Sequence, residues 1–91
     1  MQNAFPSPDA SDELVLYFYR SCFFCQLVLR AIRKLDLDSK VELADIRESP
    51  THRTRLLQET GKTQVPCLFI NGSPYHESRD IVAWLHQFSA S

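Results

Sequence analysis

Apolar and polar positions alternate in distinct rhythms along the chain. Leu14-Val15-Leu16-Tyr17-Phe18-Tyr19 is apolar at nearly every position, as in a strand covered on both faces of an α/β sheet. From Cys22 the period lengthens. Leu27, Val28, Ala31, Ile32 and Leu35 form one helical stripe, with Arg30, Arg33 and Lys34 elsewhere on the wheel. Asp36 to Lys40 is a polar connection, and Val41 to Ile46 alternates enough to be a second strand. Ser49 can cap a second helix with Pro50 at its first position; that helix runs through Leu56 and Leu57 and stops near Gly61. Val65 to Ile70 reads as a third strand, entered through Pro66. Asn71-Gly72 is a strong hairpin turn, and a short fourth strand is expected around Pro74 to His76. Glu77 or Ser78 then opens a last helix with Ile81, Val82, Leu85 and Phe88 inward and Trp84 flanking. The order is β-α-β-α-β-β-α. Strands joined through a helix are expected to be parallel, and the pair joined at Asn71-Gly72 antiparallel.

The chain has 91 residues, enough for one domain that buries roughly 60–65% of its unfolded surface. Residues 1–13, with Pro6, Pro8 and scattered Ser and Asp, read as a mobile lead-in to a domain over 14–91. Net charge is −1 with both signs interspersed, which argues against nucleic acid or an anionic membrane as main partner. The longest apolar run is far short of the roughly 20 residues a membrane helix needs. The start of the chain lacks a secretory leader pattern, so a cytoplasmic protein is expected; a monomer is expected as well.

The cysteines are Cys22, Cys25 and Cys67. An odd, sparse set is not a secreted disulfide framework. Cys22 falls where the first strand turns into a helix, at the positive end of that helix, and a thiolate is favoured there. Cys25 follows about one helical turn on, so the two sulfurs can meet. In a reducing compartment this spacing reads as a thiol–disulfide redox motif. A structural metal site is the alternative, but a closed zinc site wants four ligands and a second close pair is missing; no metal is expected. His52 and His86 read as surface helix residues, whereas His76 adjoins Glu77 and is a candidate for the pocket wall.

Over about Leu14 to Phe88 the sequence resembles the glutaredoxins. Three features carry the resemblance: Cys22-Phe23-Phe24-Cys25 after the first strand, Gly61-Lys62-Thr63-Gln64-Val65-Pro66 before the third, and a polar loop opening the last helix. That loop, Pro74 to Ile81, is similar to the Glu-Ser segment of glutathione S-transferase N-terminal domains, which share the fold. The transferases add an all-helical second domain, and this sequence ends at Ser91; redox activity is therefore expected over conjugation. The implied fold is a thioredoxin-like βαβαββα sandwich with a four-stranded mixed sheet.

The resemblance implies a glutathione-dependent oxidoreductase acting on disulfide-bonded or glutathionylated proteins, with glutathione as co-substrate. Cys22 is the expected nucleophile. It attacks the protein sulfur of a glutathionylated substrate, or a disulfide, and the resulting mixed disulfide is resolved by free glutathione, while Cys25 can close an intramolecular disulfide. Phe23 and Phe24 stand where the family commonly has Pro-Tyr, and are expected to form an apolar lip. Pro66 matches the family's cis-proline, which would present the Val65 backbone to the cysteinyl part of glutathione. Glu77, Ser78 and Asp80 would hold its γ-glutamyl end, the alternative being an ordinary capping cluster. The glycyl carboxylate needs a cation. The family's lysine is replaced by Tyr19, which leaves Arg20, Lys62 or Arg53. Cys67 would lie near Cys22, either as a third redox thiol or as a small buried hydrophobe. Two rivals stay open: an iron–sulfur or metal carrier using Cys22 and glutathione, and a non-catalytic transferase-like module docking through Phe23-Phe24.

Overall fold

Alternation along the first strand sets the layers. In the computed structural model, which describes residues 4–91, β1 (Leu14–Phe18) points Leu14, Leu16 and Phe18 into one apolar cluster, and Val15 and Tyr17 into another. Successive side chains of a strand leave opposite faces, so the clusters lie on the two sides of the sheet. The first cluster is closed by α1 (Phe23–Lys34) and α3 (Ser78–Ser89). The second holds Ala44 at β2 (Val41–Asp45), Cys67 and Phe69 at β3 (Cys67–Ile70), and Leu56 from α2 (Pro50–Thr60). With β4 (Ser73–Tyr75), the sheet order is β2-β1-β3-β4. The first three residues of the expected lead-in lie outside the described residues.

β1 and β2, joined through α1, are parallel as expected, and β3–β4 is an antiparallel hairpin turned at Asn71 (φ 50°) and Gly72 (φ 88°). β2 and β3 depart from expectation. They too are joined through a helix, yet β3 runs antiparallel to β1 and hence to β2, with β1 standing between them. The crossover rule concerns strands that re-enter the sheet in the same direction. Here six residues follow α2, and β3 enters beside the C-terminal end of β1, Cys67 pairing Tyr17. The segment before β3 is thereby brought to the sheet end where α1 begins.

Helix ends follow their local chemistry. Ser49 caps α2, Pro50 takes its first position, and Gly61 ends it at φ 79°. Helix faces are rotated slightly from the expected stripes. On α1 the buried residues are Cys25, Val28, Leu29, Ala31 and Ile32, with Leu27 only half-buried. On α3 Trp84 is buried and Val82 half-buried. Trp84 goes inward because it has a polar partner: its indole Nε1–H donates to the Pro6 carbonyl at 2.7 Å. Phe5 stacks on Tyr75 at 4.7 Å, and Asn71 bonds Asp12 and Glu13, so residues 5–13 lie along the domain. Fully buried Leu16, Phe18, Ile81 and Leu85 anchor the larger layer, each contributing about 1.5–3 kcal/mol by burial.

Candidate active site

A short turn separates β1 from α1, closed by the Cys22 N–H donating to the Tyr19 carbonyl at 3.2 Å. Cys22 is the N-cap of α1, in extended conformation, and its Sγ accepts from the Cys25 N–H at 3.3 Å. A sulfur thus takes the part that a serine or aspartate oxygen usually plays, and such a bond strengthens when the acceptor is charged. Cys22 is half-buried and Cys25 fully buried. Burial, followed by its hydrogen bond to Cys22, pushes the Cys25 thiol well up, so Cys25 keeps its proton at neutral pH. Phe23 and Phe24 are 68% and 57% exposed, their rings edge to face at 5.4 Å, and form the expected apolar lip.

Val65–Pro66 is a cis peptide. With Gln64, Phe24, Glu77 and Ser78 it lines a groove of about 240 Å³. A wider hollow of about 710 Å³ adjoins it, sharing Phe24, Glu77 and Ser78 and adding Leu27, Arg79, Asp80 and Val82. Val65, Pro66, Glu77, Ser78 and Asp80 are therefore gathered around Phe24, which lies between Cys22 and Cys25 in the chain. Glu77 is the N-cap of α3 at φ 71°, ψ 100°, and its side chain makes no cap hydrogen bond. A non-glycine residue held there costs on the order of 1–3 kcal/mol. The Glu77 side chain therefore does not cap the helix, and Ser78 already lies in its first turn.

The candidate cations fall differently. Arg20 Nε lies 3.9 Å from the Asp45 carboxylate, which draws it towards β2, and neither Arg20 nor Lys62 lines the groove. Lys62 acts on Cys67 and His76 through its charge. Arg53 is exposed on α2. Sequence reasoning missed Arg47. Its guanidinium lies 3.7 Å from the Tyr19 ring centroid and donates to Ser21 Oγ at 2.9 Å, so a cation from just beyond β2 covers the turn before Cys22. The signal was indirect: parallel pairing of Phe18 with Asp45 sets the residues after β2 beside those after β1. Gln64 and Leu27 were also missed, because only the folded groove makes them neighbours of Glu77.

Cys67 sits in the second cluster, across the sheet from Cys25, which corrects the expectation that it neighbours Cys22. Burial pushes its thiol up to about 12, and its Sγ is 3.8 Å from His76 Nε2. Burial, with Lys62 nearby, pulls His76 down. His76 stands behind the groove wall and does not line it. His86 is exposed as expected, but the His52 ring packs edge-on against Tyr17 at 6.5 Å. Among the described residues no cluster of three potential metal ligands occurs, and no helix is long and apolar enough to cross a membrane.

Residues 16–90 match the family model described as "Glutathione S-transferase, N-terminal domain". The chain belongs to this family. No curated protein matches it. Among solved structures, this glutathione S-transferase N-terminal domain is similar to wheat glutaredoxin, at TM-score 0.62 and 24% identity, over 89% of this chain and 82% of that one. Oxidized glutaredoxin 2 from Chlamydomonas reinhardtii gives 0.61 and 21%, over 89% and 78%. The holo form of glutaredoxin C1 from Populus tremula x tremuloides gives 0.59 and 22%, over 86% and 77%. The transferase N-terminal domain thus has the thioredoxin-like fold seen in glutaredoxins, as its sequence led one to expect.

Proposed function

We propose that the protein is a glutathione-dependent thiol–disulfide oxidoreductase that reduces glutathionylated proteins and protein disulfides. The observation that carries this reading is the half-buried Cys22 sulfur, bonded to the Cys25 N–H at the start of α1, the same helix start whose Phe24 lines the groove with Pro66 and Ser78. Membership of a glutathione-named family supports glutathione as the molecule for that groove. In this reading the Val65 backbone faces the cysteinyl residue, and Glu77, Ser78 and Asp80 hold the γ-glutamyl end. Arg20, Lys62 and Arg47 are the candidate cations for the glycyl carboxylate, Arg47 being the one that folding adds.

Seating glutathione in the groove turns its own sulfur towards Cys22. Attack therefore falls on the glutathione sulfur, not on the protein sulfur that the sequence reading named. A Cys22–glutathione disulfide forms and the substrate thiolate leaves. A second glutathione thiolate then attacks the glutathione sulfur of that disulfide, releasing oxidised glutathione and the Cys22 thiolate. With protein disulfides, Cys22 attacks one sulfur and the other leaves as a thiolate. Cys25 then loses its proton as it attacks the Cys22 sulfur of the mixed disulfide, closing Cys22–Cys25 and releasing the second substrate thiolate. Two glutathione thiols, oxidised to one glutathione disulfide, reopen the pair. The reading carries with it a monomer in the reducing cytoplasm, where a close cysteine pair cycles and does not persist as a crosslink. The test is reduction of a glutathionylated peptide: Cys22→Ser loses activity and Cys25→Ser keeps it. Equal loss in both variants overturns this division of roles.

A further inference from the structure

The last backbone pair of the β3–β4 hairpin is Leu68 with Tyr75. One step further, in the same antiparallel register, Cys67 stands opposite His76. There the two strands are joined by side-chain contact: His76 Nε2 lies 3.8 Å from Cys67 Sγ. The Pro66 backbone lies near enough to act on the imidazole; proline has no N–H, so its carbonyl is the group that acts. His76 immediately precedes Glu77, and Pro66 immediately precedes Cys67. One ring thus ties the segment carrying one wall of the groove, Val65-Pro66, to the segment carrying the other, Glu77-Ser78. Glu77 is held at φ 71°, a conformation that persists only where its surroundings enforce it.

We propose that His76 is a positioning residue that fixes the spacing of the two groove walls from behind, and through it the affinity for the γ-glutamyl-cysteinyl part of glutathione. The ligand named here rests on the function proposed above; the clamp itself does not. The groups facing the ring are the Cys67 thiol on β3, Lys62 from the loop after α2, and Glu77 next in sequence. Lys62 and burial oppose a positive ring and Glu77 favours one, with the balance towards the neutral form. The clamp is therefore intact at neutral pH and strained only when the solution is acidic enough to protonate a ring that burial and Lys62 hold below the ordinary imidazole range.

The test compares wild type, His76→Ala, His76→Gln and a control, Val41→Ala, a core change at the opposite end of the sheet. In His76→Ala the KM for glutathione rises about tenfold with little change in kcat, since small misplacements in a binding site are costly. His76→Gln, which keeps a donor for the Pro66 carbonyl, recovers most of it. The ratio of KM between wild type and His76→Gln rises as the pH is lowered into the acidic range where a depressed imidazole gains its proton. Amide exchange at Val65, Ser78 and Arg79, relative to Leu16, rises in His76→Ala and not in Val41→Ala. Unchanged exchange at both walls, or a KM effect no larger than that of Val41→Ala, overturns the proposal. Should wild type fail to turn over glutathione at all, the proposed function falls, and the exchange measurement alone decides on the clamp.

Discussion

Cys22→Ser should end the sulfur chemistry and yet give a more stable protein than Cys22→Ala. The reason lies in the double duty of Cys22 as candidate nucleophile and as N-cap of a twelve-residue helix, its sulfur accepting the Cys25 N–H at 3.3 Å. Serine is among the best N-cap residues and alanine among the poor ones; the difference is typically about 1 kcal/mol, within roughly 0.5–2. In a chain of this size about 1 kcal/mol moves the thermal midpoint by about 4–8 °C. It moves the urea midpoint by roughly 0.5 M, taking a slope of about 2 kcal/mol/M. The assay is denaturation of both variants under reducing conditions, followed by circular dichroism. Wild type is expected between them, since sulfur is a weaker acceptor than a hydroxyl oxygen. Equal midpoints for the two variants would refute the reasoning: the sulfur would then not be satisfying a helix-end donor.

Three further outcomes can be checked. Gly61→Ala, at φ 79° with no atom within 4 Å of the added Cβ, should cost about 1 kcal/mol from backbone strain alone, read by urea titration. Trp84→Phe removes the 2.7 Å bond to the Pro6 carbonyl; it should cost about 1 kcal/mol and speed proteolysis within residues 5–12, read by mass spectrometry. The Cys67 thiol is held up near 12 by burial and ionises near 9 once unfolded. Its contribution to stability is therefore complete below about pH 9 and lost progressively towards pH 12. Melting curves between pH 8 and 10.5 should fall more steeply for wild type than for Cys67→Ala.

What the sequence made legible was what neighbouring residues decide. The bounds of α2 follow from Ser49-Pro50 and Gly61, and the hairpin from Asn71-Gly72, because caps and turns are satisfied within a few residues. The phase of a helical stripe is less local. Leu27 and Leu29 are equally apolar, and only the position of α3 decides that Leu29 enters the core while Leu27 borders the hollow beside Glu77. Trp84 displaces Val82 from the inner face because its N–H finds Pro6, 78 positions earlier. In the site, the Cys22–Cys25 pair and the Pro66 and Glu77-Ser78 segments could be picked out as motifs. The stacking of Arg47 on Tyr19 and the reach of His76 to Cys67 could not, since each depends on strand register.

Three cysteines permit three pairings, and the layering leaves one of them open. Cys22 and Cys25 belong to the apolar layer under α1 and α3, whereas Cys67 is sealed into the layer under α2. The hydrogen-bonded sheet acts as an insulating partition between two oxidisable compartments. A crosslink that joined Cys67 to either front sulfur would have to breach that partition, so its appearance would report unfolding of the native layers.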